Sequence, residues 1–168
     1  MAKTYLDQLV EYPAKIIQRI SEDKYCVGFL MNKGFEEVNE DDFEKTLEEK
    51  IFDYQYVDET AEEASAYIWV EIEVSRVENS KIKDIRLYVT ISCHKGYMKL
   101  NERTYQGVIG NRRDNLVRYV DRLLNGKSFV GIGSFKLKTV KSIAPATNFT
   151  GRELCYEICD FNLVDIKE

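Results

Sequence analysis

Apolar and polar positions along the chain follow two periods. Leu6, Leu9, Val10, Ile16, Ile17 and Ile20 recur at helical spacing and predict a helix over about 5–22. Pro13 sits inside that pattern, where it either kinks one helix or opens a second. Lys24 to Met31 is a short apolar run that reads equally as strand or helix. Ile68, Val70, Ile72 and Val74 then alternate with Trp69, Glu71, Glu73 and Ser75. Ile85, Leu87, Val89, Ile91 and Cys93 alternate with Arg86, Tyr88, Thr90 and Ser92. Each run has a period of two and would bury one face. With the polar stretch Glu78-Asn79-Ser80-Lys81 between them, they predict a long antiparallel hairpin. On its outer face Glu71 and Glu73 would oppose Arg86 or Lys83.

After a break at Gly107 to Gly110, Asn111 can cap a helix with Asp114 in its first turn. Leu116, Val117, Val120, Leu123 and Leu124 form its apolar face, and Asn125-Gly126 ends it. Gly131 and Gly133 punctuate a loop, and Phe135, Leu137 and Thr139 alternate with Lys136 and Lys138 in a half-buried strand. Ala144 to Gly151 reads as a second loop. Leu154, Tyr156 and Ile158, alternating with Cys155, Glu157 and Cys159, read as a last strand extended by Phe161. No internal repeat appears. The expected architecture is α+β: an antiparallel or mixed sheet with a long hairpin, covered by an N-terminal and a central helix. Residues 1–168 are expected to form a single domain.

The stretch from Phe35 to Ala66 is dense in acid. Asn39 can cap a helix starting at Glu40, with Phe43, Leu47 and Ile51 as a thin apolar stripe. Asp53 to Ala66 shows no apolar period and reads as an exposed or mobile loop. The whole segment, about 35–66, is therefore expected to be an acidic, solvated insertion.

Apolar residues make up 44% of the chain, the net charge is -5, and the pI is about 5.1. An acidic chain of this kind does not suit broad nucleic-acid binding. No apolar stretch approaches the roughly 20 residues needed to span a membrane, and Lys3, Asp7 and Glu11 interrupt the N-terminus where a signal core would lie.

Each catalytic template meets an obstacle. His94 is the only histidine, and it follows Cys93 in a strand, so the two side chains point to opposite faces. Cys155 and Cys159 are spaced C-x3-C, which is poor zinc spacing, so Cys26, Cys93, Cys155 and Cys159 read as free thiols. Gly131-x-Gly133 lacks the rest of a dinucleotide fingerprint, and Lys127-Ser128 lacks the upstream glycine of a phosphate loop. Glu71 and Glu73 with upstream Asp53 are the one carboxylate set that a metal-dependent nuclease could use, although Ser75 rather than a lysine continues that strand face. The reading is therefore of a protein that is not an enzyme, with no catalytic residue, cofactor or metal site.

Arg112, Arg113, Arg118 and Arg122 form the only basic concentration, diluted by Asp114 and Asp121. They are candidates for an inter-subunit interface. Their expected counterparts in another copy lie among Glu40, Asp41, Asp42, Glu48, Glu49, Asp58, Glu59, Glu62 and Glu63. Trp69 is a further interface candidate, because its neighbours in the strand already fill the core face.

Residues 80–162 resemble small neck and tail proteins of phages and prophages of Gram-positive hosts. The resemblance rests on Gly110-Asn111-Arg112-Arg113-Asp114, Val120-Asp121-Arg122-Leu123-Leu124-Asn125-Gly126 and Gly131-Ile132-Gly133. It continues through Phe149-Thr150-Gly151-Arg152-Glu153-Leu154 and Asp160-Phe161-Asn162. The order of elements also resembles that of tail terminator proteins. This resemblance implies a structural role in virion assembly: a homo-oligomeric ring, a hexamer, capping the tail tube and joining it to the head. Its implied partners are the tail tube protein and the head-completion or neck proteins, with DNA only passing through the lumen and no membrane. The implied location is the neck or tail of the virion, after assembly in the host cytoplasm. A head–tail connector or head-closure subunit is the alternative within this class, and a small metal-dependent nuclease the alternative outside it. The acidic 35–66 segment is longer than a minimal terminator should need.

Overall fold

The computed structural model describes residues 5–57, 59–78, 81–129 and 133–159. The turn at Asn79-Ser80, Gly131-Ile132 of the glycine loop, Asp58, and Asp160-Phe161-Asn162 lie outside the described residues.

Helix α1 (Tyr5–Ser21) runs through Pro13 as one helix. It turns Tyr12, Ile16, Ile17 and Ile20 inward, while Val10, placed by its spacing on the same stripe, is 75% exposed. The ambiguous run is helix α2 (Lys24–Met31). Asp23 decides it: its carboxylate accepts from the N–H groups of Tyr25 and Cys26, and Asn32 ends the helix at φ 56°. Helix α3 (Glu40–Glu49) starts at the predicted cap, Asn39, in a reciprocal capping box with Asp42.

Strand β1 (Ile51–Phe52) follows at once and pairs parallel with the start of β2 (Ala66–Glu78). The predicted hairpin is β2 against β3 (Lys81–His94), with Ile68 opposite Ile91, Val70 opposite Val89 and Glu73 opposite Arg86. A 3₁₀ turn (Lys95–Tyr97) and a loop lead to α4 (Arg112–Leu124). Then come β4 (Ser128–Phe129), β5 (Gly133–Ile143) and β6 (Phe149–Cys159). β5 runs beyond the predicted Thr139, and β6 begins inside the predicted second loop.

Among the described residues the strand order is β1-β2-β3-β6-β5-β4, a six-stranded mixed sheet. The chain is α+β, as its patterning predicts. One face of the sheet carries Ile68, Val70, Leu87, Val89, Ile91, Leu154 and Tyr156, all fully buried with Ile16, Ile20, Phe29, Leu116, Val120 and Leu124 of the helices. Burying each such side chain contributes about 1.5–3 kcal/mol. Tyr156 shows how the layers are pinned: from the buried sheet face its hydroxyl donates to Asp121 Oδ1 of α4 at 3.0 Å.

The acidic 35–66 segment departs from its expectation of a solvated insertion. Within α3, Asp42 and Thr46 are buried. Asp42 Oδ1 accepts from Lys33 Nζ at 2.6 Å. Ile51, Val57 and Ser65 are buried as well. Leu47, Tyr54 and Tyr56 stay exposed, so the segment is packed at Asp42, Thr46, Ile51, Val57 and Ser65 and solvated over most of its other positions.

Candidate functional site

The motif at 110–114 is one of those that carry the resemblance, and it leads into α4. Gly110 adopts φ +92°, which lets the chain turn into α4. Asn111 caps the helix by accepting from the Asp114 N–H at 2.8 Å, and its own amide donates to Asp114 Oδ2 at 2.8 Å.

Arg112 points inward and is 1% exposed. Its Nε donates to Tyr97 O at 2.9 Å, Nη2 to Asn32 Oδ1 at 2.6 Å, and Nη1 to both Phe29 O and the Tyr105 hydroxyl. The Tyr105 hydroxyl in turn donates to Gly28 O at 2.8 Å. The acceptors at Gly28 and Phe29 are carbonyls of the last turn of α2, the negative end of that helix dipole, which suits a cation. Burial pushes the neighbouring Tyr97 phenol up to about 12. This arginine therefore fastens α2, the 3₁₀ turn and the 101–110 loop to the start of α4. Its side chain is buried within its own chain, not displayed on an open helix face.

Arg113 is half-buried. It donates to Asp114 Oδ1 at 2.9 Å and to Thr150 Oγ1 at 2.6 Å, tying α4 to β6. Arg152 of β6 approaches the same carboxylate oxygen at 3.3 Å. Burial would raise the Asp114 carboxyl, but the bonds from Arg113 and Asn111 outweigh it and hold the group down at about 2. Of the four arginines, Arg118 and Arg122 alone are exposed. Both lie over the Tyr119 ring, at 5.1 and 5.3 Å from its centroid. The basic cluster read from the sequence is thus split between internal fastening and an exposed pair.

Trp69 is 4% exposed, which corrects its assignment to an open outer face. It lies in a second apolar cluster on the sheet face away from α1 and α4, with Val57, Tyr67, Ala146 and Phe149, edged by Phe52, Ala61 and Ile143. The cover comes from the acidic segment itself. Phe52 stacks on Tyr56 at 4.0 Å. Lys50 Nζ lies 5.1 Å from the centroid of the Tyr67 ring and donates to Ser65 Oγ at 2.7 Å. The signal that could have revealed this was Phe52, Tyr54, Tyr56 and Val57, an apolar-rich knot inside the acidic run.

Cys93 is buried on the helix side, and burial pushes its thiol up to about 12. His94 faces the other way and caps the 3₁₀ turn, its Nδ1 accepting from Gly96 N at 3.1 Å. Cys26 and Cys155 are buried free thiols, and the side chain of Cys159 is outside the described residues. Asp53 and Glu71 line one shallow cleft, which is otherwise apolar: Leu9, Val10, Pro13, Val70 and Ile72. Among the described residues, no three His, Cys, Asp or Glu side chains converge as a metal-binding group. No helix among them is long and apolar enough to cross a membrane.

No curated protein and no solved structure matches the chain. One family model does, over residues 21–158, from the last residue of α1 to Ile158 in β6. That match covers most of the chain, and the family's name comes from a Bacillus phage or prophage region. The chain therefore belongs to the YomW family and is a phage-associated protein.

Proposed function

We propose that this protein is a structural subunit of the phage particle, specifically a tail terminator. In this reading it forms a ring, a hexamer, that caps the tail tube and joins it to the head, and it is not an enzyme. The observation that supports the reading is the use made of the 110–114 motif. Asn111, Arg112, Arg113 and Asp114 are engaged in capping a helix and fastening three parts of one chain together. A motif with that role spends its polar side chains on contacts within its own chain and preserves a rigid shape, which a ring subunit needs. Its partners are then the tail tube protein on one side and neck or head-completion proteins on the other, with DNA only passing through the lumen.

The test is deletion of the gene from the phage that carries it, followed by electron microscopy of the lysate. Full heads beside unjoined tails of irregular length are expected. Tails of uniform length beside emptied heads would move the protein to the alternative, a connector or head-closure subunit. Normal joined particles would overturn both assignments. A divalent-metal-dependent nuclease activity lost in Glu71→Gln would favour the enzymatic reading instead.

A further inference from the structure

Among the described residues, both long edges of the sheet are mostly open. On the outer side of β5, strand β4 pairs only with Gly133 and Ser134. A bridge from Asn125 reaches Phe135, and the Asn125 side chain accepts from Leu137 N at 3.2 Å. From Lys138 to Ile143 no strand covers that side among the described residues. At the other edge, β1 pairs only with Ile68 and Trp69 of β2, so Val70 to Glu78 has no outer strand among the described residues. Open edges invite pairing with another chain.

The charges on the sheet face away from α1 and α4 are ordered by strand. β2 presents Glu71 and Glu73, β3 Arg86, β6 Glu153 and Glu157, and β5 Lys136 and Lys141. The register puts Glu73 opposite Arg86, Arg86 opposite Glu157, Glu157 opposite Lys136, and Glu153 opposite Lys141. Along the row Glu73, Arg86, Glu157, Lys136 the sign alternates from strand to strand, and in the row of Trp69 and Thr90 the pair Glu153–Lys141 repeats its β6–β5 half; Asp84 of β3, opposite Arg76, lies outside these rows. Directly opposed like charges destabilise strand pairs, and unlike charges stabilise them. Pairing two β5 edges would put lysine against lysine, and pairing two β2 edges would put glutamate against glutamate. Only β5 against β2 continues the alternation. Strand direction agrees, because β2-β3-β6-β5 is antiparallel throughout and a following β2 in the same orientation is antiparallel to β5.

The helix side of the same two edges also matches. Val140, in register with the core residue Leu154, is 45% exposed beside the β5 edge. Val10, 75% exposed, lies beside the β2 edge in the cleft with Leu9, Pro13 and Val70. Joining the edges would bring these apolar side chains together.

We infer that the outer edge of β5, Lys138–Ile143, pairs antiparallel with the outer edge of β2, from Val70 onward, of a second copy of this chain. The contact is head-to-tail, so repeating it either closes a ring or runs on as a filament. The inference rests on the ring proposed above and gives that ring its interface.

The test uses native mass spectrometry and hydrogen exchange on the full chain. Lys136→Glu/Lys141→Glu and Glu71→Lys/Glu73→Lys should each associate at least about tenfold more weakly than wild type. An equimolar mixture should recover assembly, because each variant then offers the edge the other lacks. In the unmodified protein, amides of 138–143 and 70–74 should be protected in the oligomer and exchange on dilution to monomer, which decides the matter even if a variant fails to fold. A ring that persists in both variants, or that leaves these amides unprotected, overturns the edge pairing and leaves the ring reading standing. A wild type that stays monomeric, even with tail tubes present, overturns both, and the β5 lysines then serve to keep an open edge soluble.

Discussion

The guanidinium carbon of Arg112 sits 3.9 Å from the centroid of the Tyr97 ring, inside the protein. The contact joins the first turn of α4 to the 3₁₀ turn, and the guanidinium's donors reach the C-terminal end of α2. A buried charge held by several acceptors is costly to disturb, because removing it leaves its partners unpaired. Arg112→Ala is expected to destabilise the fold by about 3–5 kcal/mol. Arg112→Lys should recover little of that, since an ammonium cannot reproduce the fork or the ring stacking. Urea melts followed by circular dichroism measure both, and a loss under about 1 kcal/mol for the alanine variant would refute the fastening role.

Trp69→Ala should behave as a core truncation, with a loss of about 3–5 kcal/mol. It removes the centre of the second cluster, so the acidic cover should loosen with it. Proteolysis between Asp53 and Glu63 is the matching readout. Unchanged stability and unchanged cleavage would mean that the 53–66 cover does not depend on this side chain.

Leu116 and Leu124 are fully buried, whereas Leu123, on the same predicted stripe, is half-buried. Leu116→Ala is therefore expected to cost about 2–5 kcal/mol and Leu123→Ala clearly less. Equal losses in paired denaturant melts would contradict the orientation of α4.

Asp114 links stability to acid. Its folded carboxyl is held at about 2, below the usual unfolded value of about 3.9. The stabilisation it provides is fully present above the unfolded value and is lost as the pH falls from there through the folded one. Because the side chain is 42% exposed, the effect should stay under about 1 kcal/mol. Thermal melts of wild type and Asp114→Asn from neutral pH down to pH 2 should converge at the acid end. A constant gap would assign the loss to packing or to the helix cap.

Cys26 and Cys93 are buried with thiols raised by desolvation. Since the thiolate is the reactive form, neither should react with iodoacetamide at pH 8 until the chain unfolds, and elemental analysis should find no stoichiometric zinc. Rapid labelling of the native protein at either position would place that cysteine in an opening segment.

Local chemistry made much of the fold legible. The alternation from Ile68 to Cys93 predicted the hairpin because a pleated strand with one buried face needs that period. Asn39 and Asn111 marked helix starts because a cap acts on N–H groups only a few residues away. The polar sites were less legible. Four arginines within one helix look alike in sequence, yet the turn at Gly110 aims Arg112 into the carbonyl end of α2, from a separate part of the chain.

The sequence by itself determined the α+β class, the hairpin, and the first and last turns of α4, since these depend on periodicity and on contacts a few residues apart. Only the tertiary structure decided that Trp69 is covered, that the acidic segment packs, and that β5 and β2 are left as opposite, oppositely charged edges. Those facts depend on which distant segments meet: Phe52 with Trp69 in register, Val57 against Phe149 in one cluster, Arg112 with Phe29. Residue spacing carries no record of such meetings, because burial of a strand's second face is set by whatever chain happens to lie across it.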